Sequence, residues 1–170
     1  IYRITHKDSK NFQSLDLRDA KTEELVNTLS NDNMFWRLMA QNKLVQGKKY
    51  DAVPSLIKLA KSTNIDGINS DPGVIHALWT LHGLDQLDGS NKEANAAIKK
   101  ALSHPSAMVR KNAVRVLPKI NTSAELLIKM LNENDKNTLR HILLTLSIMP
   151  KNDDFGEIIY GLKNKIEAVS

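Results

Sequence analysis

Apolar residues recur along this chain at intervals of three and four, the spacing of one buried stripe on a helix. Leu25 and Leu29 in "TEELVNTL" (22–29) show it, as do Val53, Leu56, Ile57 and Ala60 in "AVPSLIKLA" (52–60). "EANAAIKKAL" (93–102) and "SAELLIKML" (123–131) continue the pattern. Each is followed by a second periodic stretch: "MFWRLMAQNKLV", "VIHALWTL", "AMVRKNAVRVL" and "TLRHILLTL". Short polar turns, "SNDN", "SHPS" and "NENDK", join three of these pairs. The predicted unit is helix, tight turn, helix, written about four times.

The four second helices align on Arg37, His76, Arg110 and Arg140, at intervals of 39, 34 and 30 residues. An apolar residue precedes each of these anchors: Trp36, Ile75, Val109 and Leu139. Three residues after them stand Ala40, Trp79, Ala113 and Leu143, and five before stand Asp32, Asp71, Pro105 and Asp135. An Asp or Asn in the turn can cap the second helix by accepting the unpaired N–H groups of its first turn. Thr22 can cap the first helix of the chain. A capping box would then need Glu or Gln where Leu25 stands, so only an acidic first turn from Glu23 and Glu24 is expected.

One helix pair cannot bury its stripe alone, whereas stacked pairs share a continuous core. The expected fold class is therefore all-α: a short right-handed α-α superhelix of the HEAT/ARM type, with about four to five helix pairs and the anchor helices lining one broad side. "FGEIIYGLKNKIEAV" has the look of the first helix of a fifth unit. Residues 1–14 are expected to be a linker or the end of an upstream domain, and residues 15–170 the helical repeat domain.

The longest interruption is "KSTNIDGINSDPG" (61–73), where Gly67, Pro72 and Gly73 oppose a continuous helix. Just after it, His76 and His82 stand six apart, roughly 120° around a helix. A metal shared from one helix needs a spacing of about three or four. His76 is therefore read as a polar residue at the edge of the packing and His82 as exposed. Trp36 and Trp79 fall on or near the apolar stripe and are read as core. The anchor arginines are expected to reach an Asp of a neighbouring turn and the loop carbonyls, forming a ladder.

Composition narrows the function. At 41% apolar and 25% charged residues, the chain has the make-up of a globular protein, and no apolar run approaches the roughly 18 residues of a membrane span. The lack of cysteine excludes disulfides, thiolate metal sites and a Cys nucleophile. An opening at Ile1 with no basic-then-apolar leader leads us to expect a piece of a longer protein. The net charge of +5 is uneven: residues 1–90 hold eleven basic and eleven acidic side chains, and residues 91–170 hold thirteen and eight. The best candidate interaction surface is Lys99, Lys100, Arg110, Lys111, Arg115 and Lys119, with Lys111 and Arg115 sharing a helix face. No Gly-rich phosphate loop, "GxSxG" elbow or "HExxH" pair occurs, so no catalytic, cofactor-binding or metal residue is assigned. A monomeric, non-enzymatic scaffold without cofactor is expected. A basic helical-repeat protein that grips nucleic acid, of the DNA-alkylation-repair type, is the alternative.

The pattern apolar–Arg–x–x–Ala with an Asp five residues ahead resembles the HEAT repeat. "HALWTLHGL", with "WRLMAQNKLV", "AVPSLIKLA" and "SHPSAMVRKNAVRVL", resembles more narrowly the HEAT-like segment of large exported bacterial proteins of the membrane-bound dehydrogenase family. There a glucose/sorbosone-dehydrogenase-like β-propeller precedes the helices and a cytochrome c domain often follows. "IYRITHKD" resembles the closing strand of such a propeller, with Tyr2 and Ile4 alternating against Arg3 and Thr5. The resemblance covers roughly residues 1–120 and implies a periplasmic or exported location. It also implies the role of a spacer and docking surface for neighbouring domains or subunits of a redox protein. That family's propeller and haem residues have no counterpart here, so no catalytic residue is carried over.

Overall fold

The computed structural model describes residues 15–150, and every regular element among them is helical. The expected strand at Tyr2–Ile4 and the expected fifth unit lie outside the described residues. Eight α-helices run in chain order: α1 (Thr22–Thr28), α2 (Met34–Gln46), α3 (Val53–Ala60), α4 (Pro72–Gly83), α5 (Lys92–Leu102), α6 (Ala107–Arg115), α7 (Asn121–Lys129) and α8 (Lys136–Ser147). A 3-10 turn at Tyr50–Ala52 leads into α3.

Each odd-numbered helix packs on the even-numbered helix that follows it. The even helices also touch in sequence, α2 on α4, α4 on α6 and α6 on α8, while α1 packs on α3 and α3 on α5. One apolar core runs through the described chain. Leu25 and Leu29 of the first pair, Leu56 and Leu78 of the second, Val109 in the third, and Leu127 and Ile142 in the fourth are sealed from solvent. Replacing one such leucine by alanine removes about 2–5 kcal/mol, because the packed neighbours collapse only partly into the void.

All four even helices begin on a side-chain cap. Asn33 accepts from the Phe35 N–H at 2.9 Å, Asp71 from Val74 at 3.1 Å, Ser106 from Val109 at 3.4 Å and Asp135 from Thr138 at 2.7 Å. Among the odd helices only α5 has such a cap, Asn91, which accepts from Ala94 at 3.1 Å.

The caps change three readings. Helix α1 is capped at Lys21, not Thr22, so the position three residues on is Glu24. Its carboxylate accepts the Lys21 N–H at 2.7 Å, while the Thr22 hydroxyl donates to Asp51 at 2.6 Å. Pro72 and Gly73, read as breakers, form the first turn of α4 instead. A proline there gives up an N–H that has no helical partner. A Cβ at Gly73 would crowd the Ser30 hydroxyl, which would have to turn away to admit one.

The third change concerns the anchors. Counted from the caps, Arg37 and Arg110 are fourth, whereas His76 and Arg140 are fifth. The fully buried position is the seventh after each cap: Ala40, Leu78, Ala113 and Ile142. Trp79 and Leu143, aligned with Ala40 and Ala113 by sequence, are half-buried beside the core. Helix register follows from where the backbone is capped, and an arginine identity alone does not fix it.

Candidate interaction surface

Arg37 and Arg110 are built the same way and turn inward. The Nη1 of Arg37 donates to the carbonyls of Asn31 (2.6 Å) and Asp32 (2.9 Å). The Nη1 of Arg110 donates to those of His104 and Pro105, both at 2.8 Å. Each guanidinium thus ties down the turn ahead of its own helix. Arg110 also donates through Nε (2.7 Å) and Nη2 (2.8 Å) to the carboxylate of Glu133, in the turn before α8. The expected partner was an Asp of a neighbouring turn, and a Glu performs that role here. Glu133 accepts the Asp135 N–H as well, at 2.9 Å. The bidentate pair is nearly covered, with side chains 19% and 7% exposed. The guanidinium holds the Glu133 carboxyl below its usual range, and the carboxylate pushes Arg110 up. The buried Nε of Arg37 has no such partner among the described residues.

One polar bond joins each successive pair of even helices. His76 Nδ1 lies 2.7 Å from Gln41 Oε1, between α2 and α4. Trp79 donates its indole N–H to Asn112 at 2.9 Å, between α4 and α6. The Thr138 hydroxyl lies 3.1 Å from the Ala107 carbonyl, between α6 and α8, and shares its one proton between that oxygen and Asp135 Oδ1 at 2.8 Å. Burial, reinforced by the charge of Arg37, lowers the His76 pKa to about 4, so the ring is neutral and donates from Nδ1. Periodicity missed Gln41, Asn112 and Thr138, because each is a single polar residue on a helix otherwise read by its apolar stripe. Asn112 and Thr138 at core-facing positions were the available signal.

The candidate cations separate into three groups. Lys99 and Lys100 are exposed on α5, an odd helix, and Lys119 is exposed beyond α6. Arg110 is held by Glu133. Lys111 and Arg115 remain on the outward side of α6, where they and Arg140 act electrostatically on the half-buried His141 of α8. Burial lowers the His141 pKa first, and these three cations lower it further. The Arg115 guanidinium lies 5.1 Å from the centre of the Trp79 ring, and His82 meets that ring edge-on at 5.7 Å. Trp79 is therefore neither fully core nor a bare platform. Its N–H is anchored to Asn112 and its face carries a cation.

Large apolar side chains also lie open on these even helices. On α2 they are Met34, Phe35, Leu38 and Met39, with Phe35 57% exposed. Met108 on α6 is 44% exposed and Leu144 on α8 is 57% exposed. Helices α2, α4, α6 and α8 contain seven Lys or Arg and not one Asp or Glu. The odd helices hold Glu23, Glu24, Glu93 and Glu125.

Among the described residues no three His, Asp or Glu side chains converge to hold a metal ion, and no helix is long and apolar enough to cross a membrane. No family profile, curated protein or solved structure matches the chain.

Proposed function

We propose that this chain is a non-catalytic α-solenoid of the HEAT/ARM kind that spaces and docks protein domains. The observation that carries the reading is the order of packing. Helices pair as neighbours in sequence, and each described even helix packs on the next with a polar bond at each step. Such a stack is quasi-one-dimensional and offers a long continuous side to a partner. The segments quoted above, which resemble the helical part of exported membrane-bound dehydrogenases, support placing it in a larger exported redox protein as a spacer between domains.

The test is truncation. In a stack, each pair draws its stability from the pair beside it, so removing α7 and α8 leaves a shorter folded helical array. A chain ending at Lys119 is expected to keep its helical circular dichroism per residue and to melt at a lower temperature. An unfolded product would show one indivisible globule and defeat the reading, as would turnover or a stoichiometric metal in the intact chain.

A further inference from the structure

We propose that the outward side of α2, α4, α6 and α8 binds an acidic protein segment bearing aromatic or aliphatic anchors, its carboxylates over α6–α8 and its apolar groups over α2–α4. The proposal rests on the solenoid reading and adds the chemistry of the partner.

Charge comes first. Within their spans the four even helices carry seven Lys or Arg and no carboxylate. The acids at their starts, Asp71 and Asp135, are taken up as caps, so the face repels cationic segments and attracts anionic ones. The cations are not spread evenly over it. Arg37 and Arg110 are spent on carbonyls and Glu133, while Lys111 and Arg115 point outward. On α6 the outward stripe reads Met108, Lys111, Arg115, and on α8 it reads Arg140, His141, Leu144. This end suits carboxylates flanked by small apolar contacts.

The opposite end is different. Helix α2 offers Phe35, Leu38 and Met39 with no charge among them, a stripe at the three-and-four spacing of one helix face. Methionines adapt to irregular apolar partners. Trp79 stands between the two ends, held by Asn112 and topped by Arg115. A phosphate backbone would use the cations and leave Phe35, Leu38 and Met39 wet. A protein segment with both kinds of side chain uses the whole face, and this decides for protein over nucleic acid.

Length follows from helix packing. Three steps at 8–10 Å span about 24–30 Å, which is about eight residues of extended chain or about eighteen of helix.

The experiment is selection from a random peptide library, about 18 residues long, on the intact chain. Affinities of selected synthetic peptides are then read by the anisotropy of a dye on the peptide. Selected peptides are expected to carry Asp or Glu toward one end and Trp, Phe or Leu toward the other. Lys111→Glu with Arg115→Glu should weaken binding at least about tenfold, and Phe35→Ser with Leu38→Ser about fivefold. Lys99→Glu with Lys100→Glu on α5 should change it less than about twofold. All six residues lie at the surface or half-buried, so unchanged circular dichroism separates lost contact from lost fold. Three results would overturn the proposal: selection of basic or purely acidic sequences, a DNA duplex that displaces the peptide at equal concentration, or self-association that covers Phe35. If the truncated chain still folds, such results remove this partner and leave the solenoid in place.

Discussion

The odd and even helices of this protein share one core and little else. The even helices are capped by side chains at every start, linked by a polar bond at each step, and free of Asp and Glu within their spans. The odd helices mostly start without such caps, carry Glu at their surface, and meet through exposed contacts such as Lys61–Glu93. The difference teaches that burying apolar surface explains why the helices pair, but not why one side is so much more carefully fixed. Polar satisfaction specifies geometry, and it is concentrated on the side that offers the candidate surface.

The sharpest way to break this comparison is to cut the even side at its strongest point. Arg110→Met should cost about 3 kcal/mol, because it strands the covered Glu133 carboxylate as well as two carbonyls. Arg37→Met, which strands carbonyls only, should cost about 1–2 kcal/mol. Denaturant unfolding of both variants checks the gap, and equal losses would mean that the Glu133 pair contributes nothing beyond turn closure.

Acid should act next most strongly, again through the even side. His76 in α2–α4 contact, His104 in the turn before α6 and His141 on α8 are all held below the ordinary histidine value, chiefly by burial. His104 accepts the Ser106 N–H at Nδ1, so its proton is on Nε2, which is buried without a partner among the described residues. The folded state therefore binds fewer protons than the unfolded chain, and the stability from neutral rings is full above about pH 6.5. For His76 it is lost as pH falls from about 6.5 toward about 4 and, because the ring is only half-buried and water screens part of the penalty, is worth roughly 1–2 kcal/mol. Glu133, held low by Arg110, adds a loss in the same direction at lower pH. A His76→Gln variant should flatten the upper part of the stability–pH curve, measured by thermal melts. A melting temperature independent of pH across that window would contradict the burial argument.

The smallest effects come from the helix starts. Asp135→Ala and Asn33→Ala should each cost about 1 kcal/mol, by releasing an N–H that only the cap satisfies. Thr22→Ala should cost less, since that residue is not the cap of α1. Urea midpoints for the three variants would order them, and a loss at Thr22 matching that at Asp135 would erase the asymmetry.

Much of the fold was legible because an apolar stripe of period 3.6 has few other solutions. All eight helices stand where the periodicity predicts, with ends displaced by one or two residues, as for α1 and α7. The register of the even helices was less legible. Arg37 and Arg140 look alike in sequence, yet the backbone starts one residue closer to Arg37. The surface was legible only in part. Lys111 and Arg115 share a face by spacing alone. That Lys99 and Lys100 lie on an odd helix follows from their place in "EANAAIKKAL", whereas the capture of Arg110 by a glutamate 23 residues away depends on tertiary placement that no local pattern carries.

The bonds Gln41–His76, Asn112–Trp79 and Thr138–Ala107 have a mechanical corollary. Each is short-ranged and directional, so sliding one rod a full turn along its neighbour ruptures it, whereas a slight tilt does not. The rods can tilt slightly against one another while staying indexed, so the spacing of successive even helices is preserved.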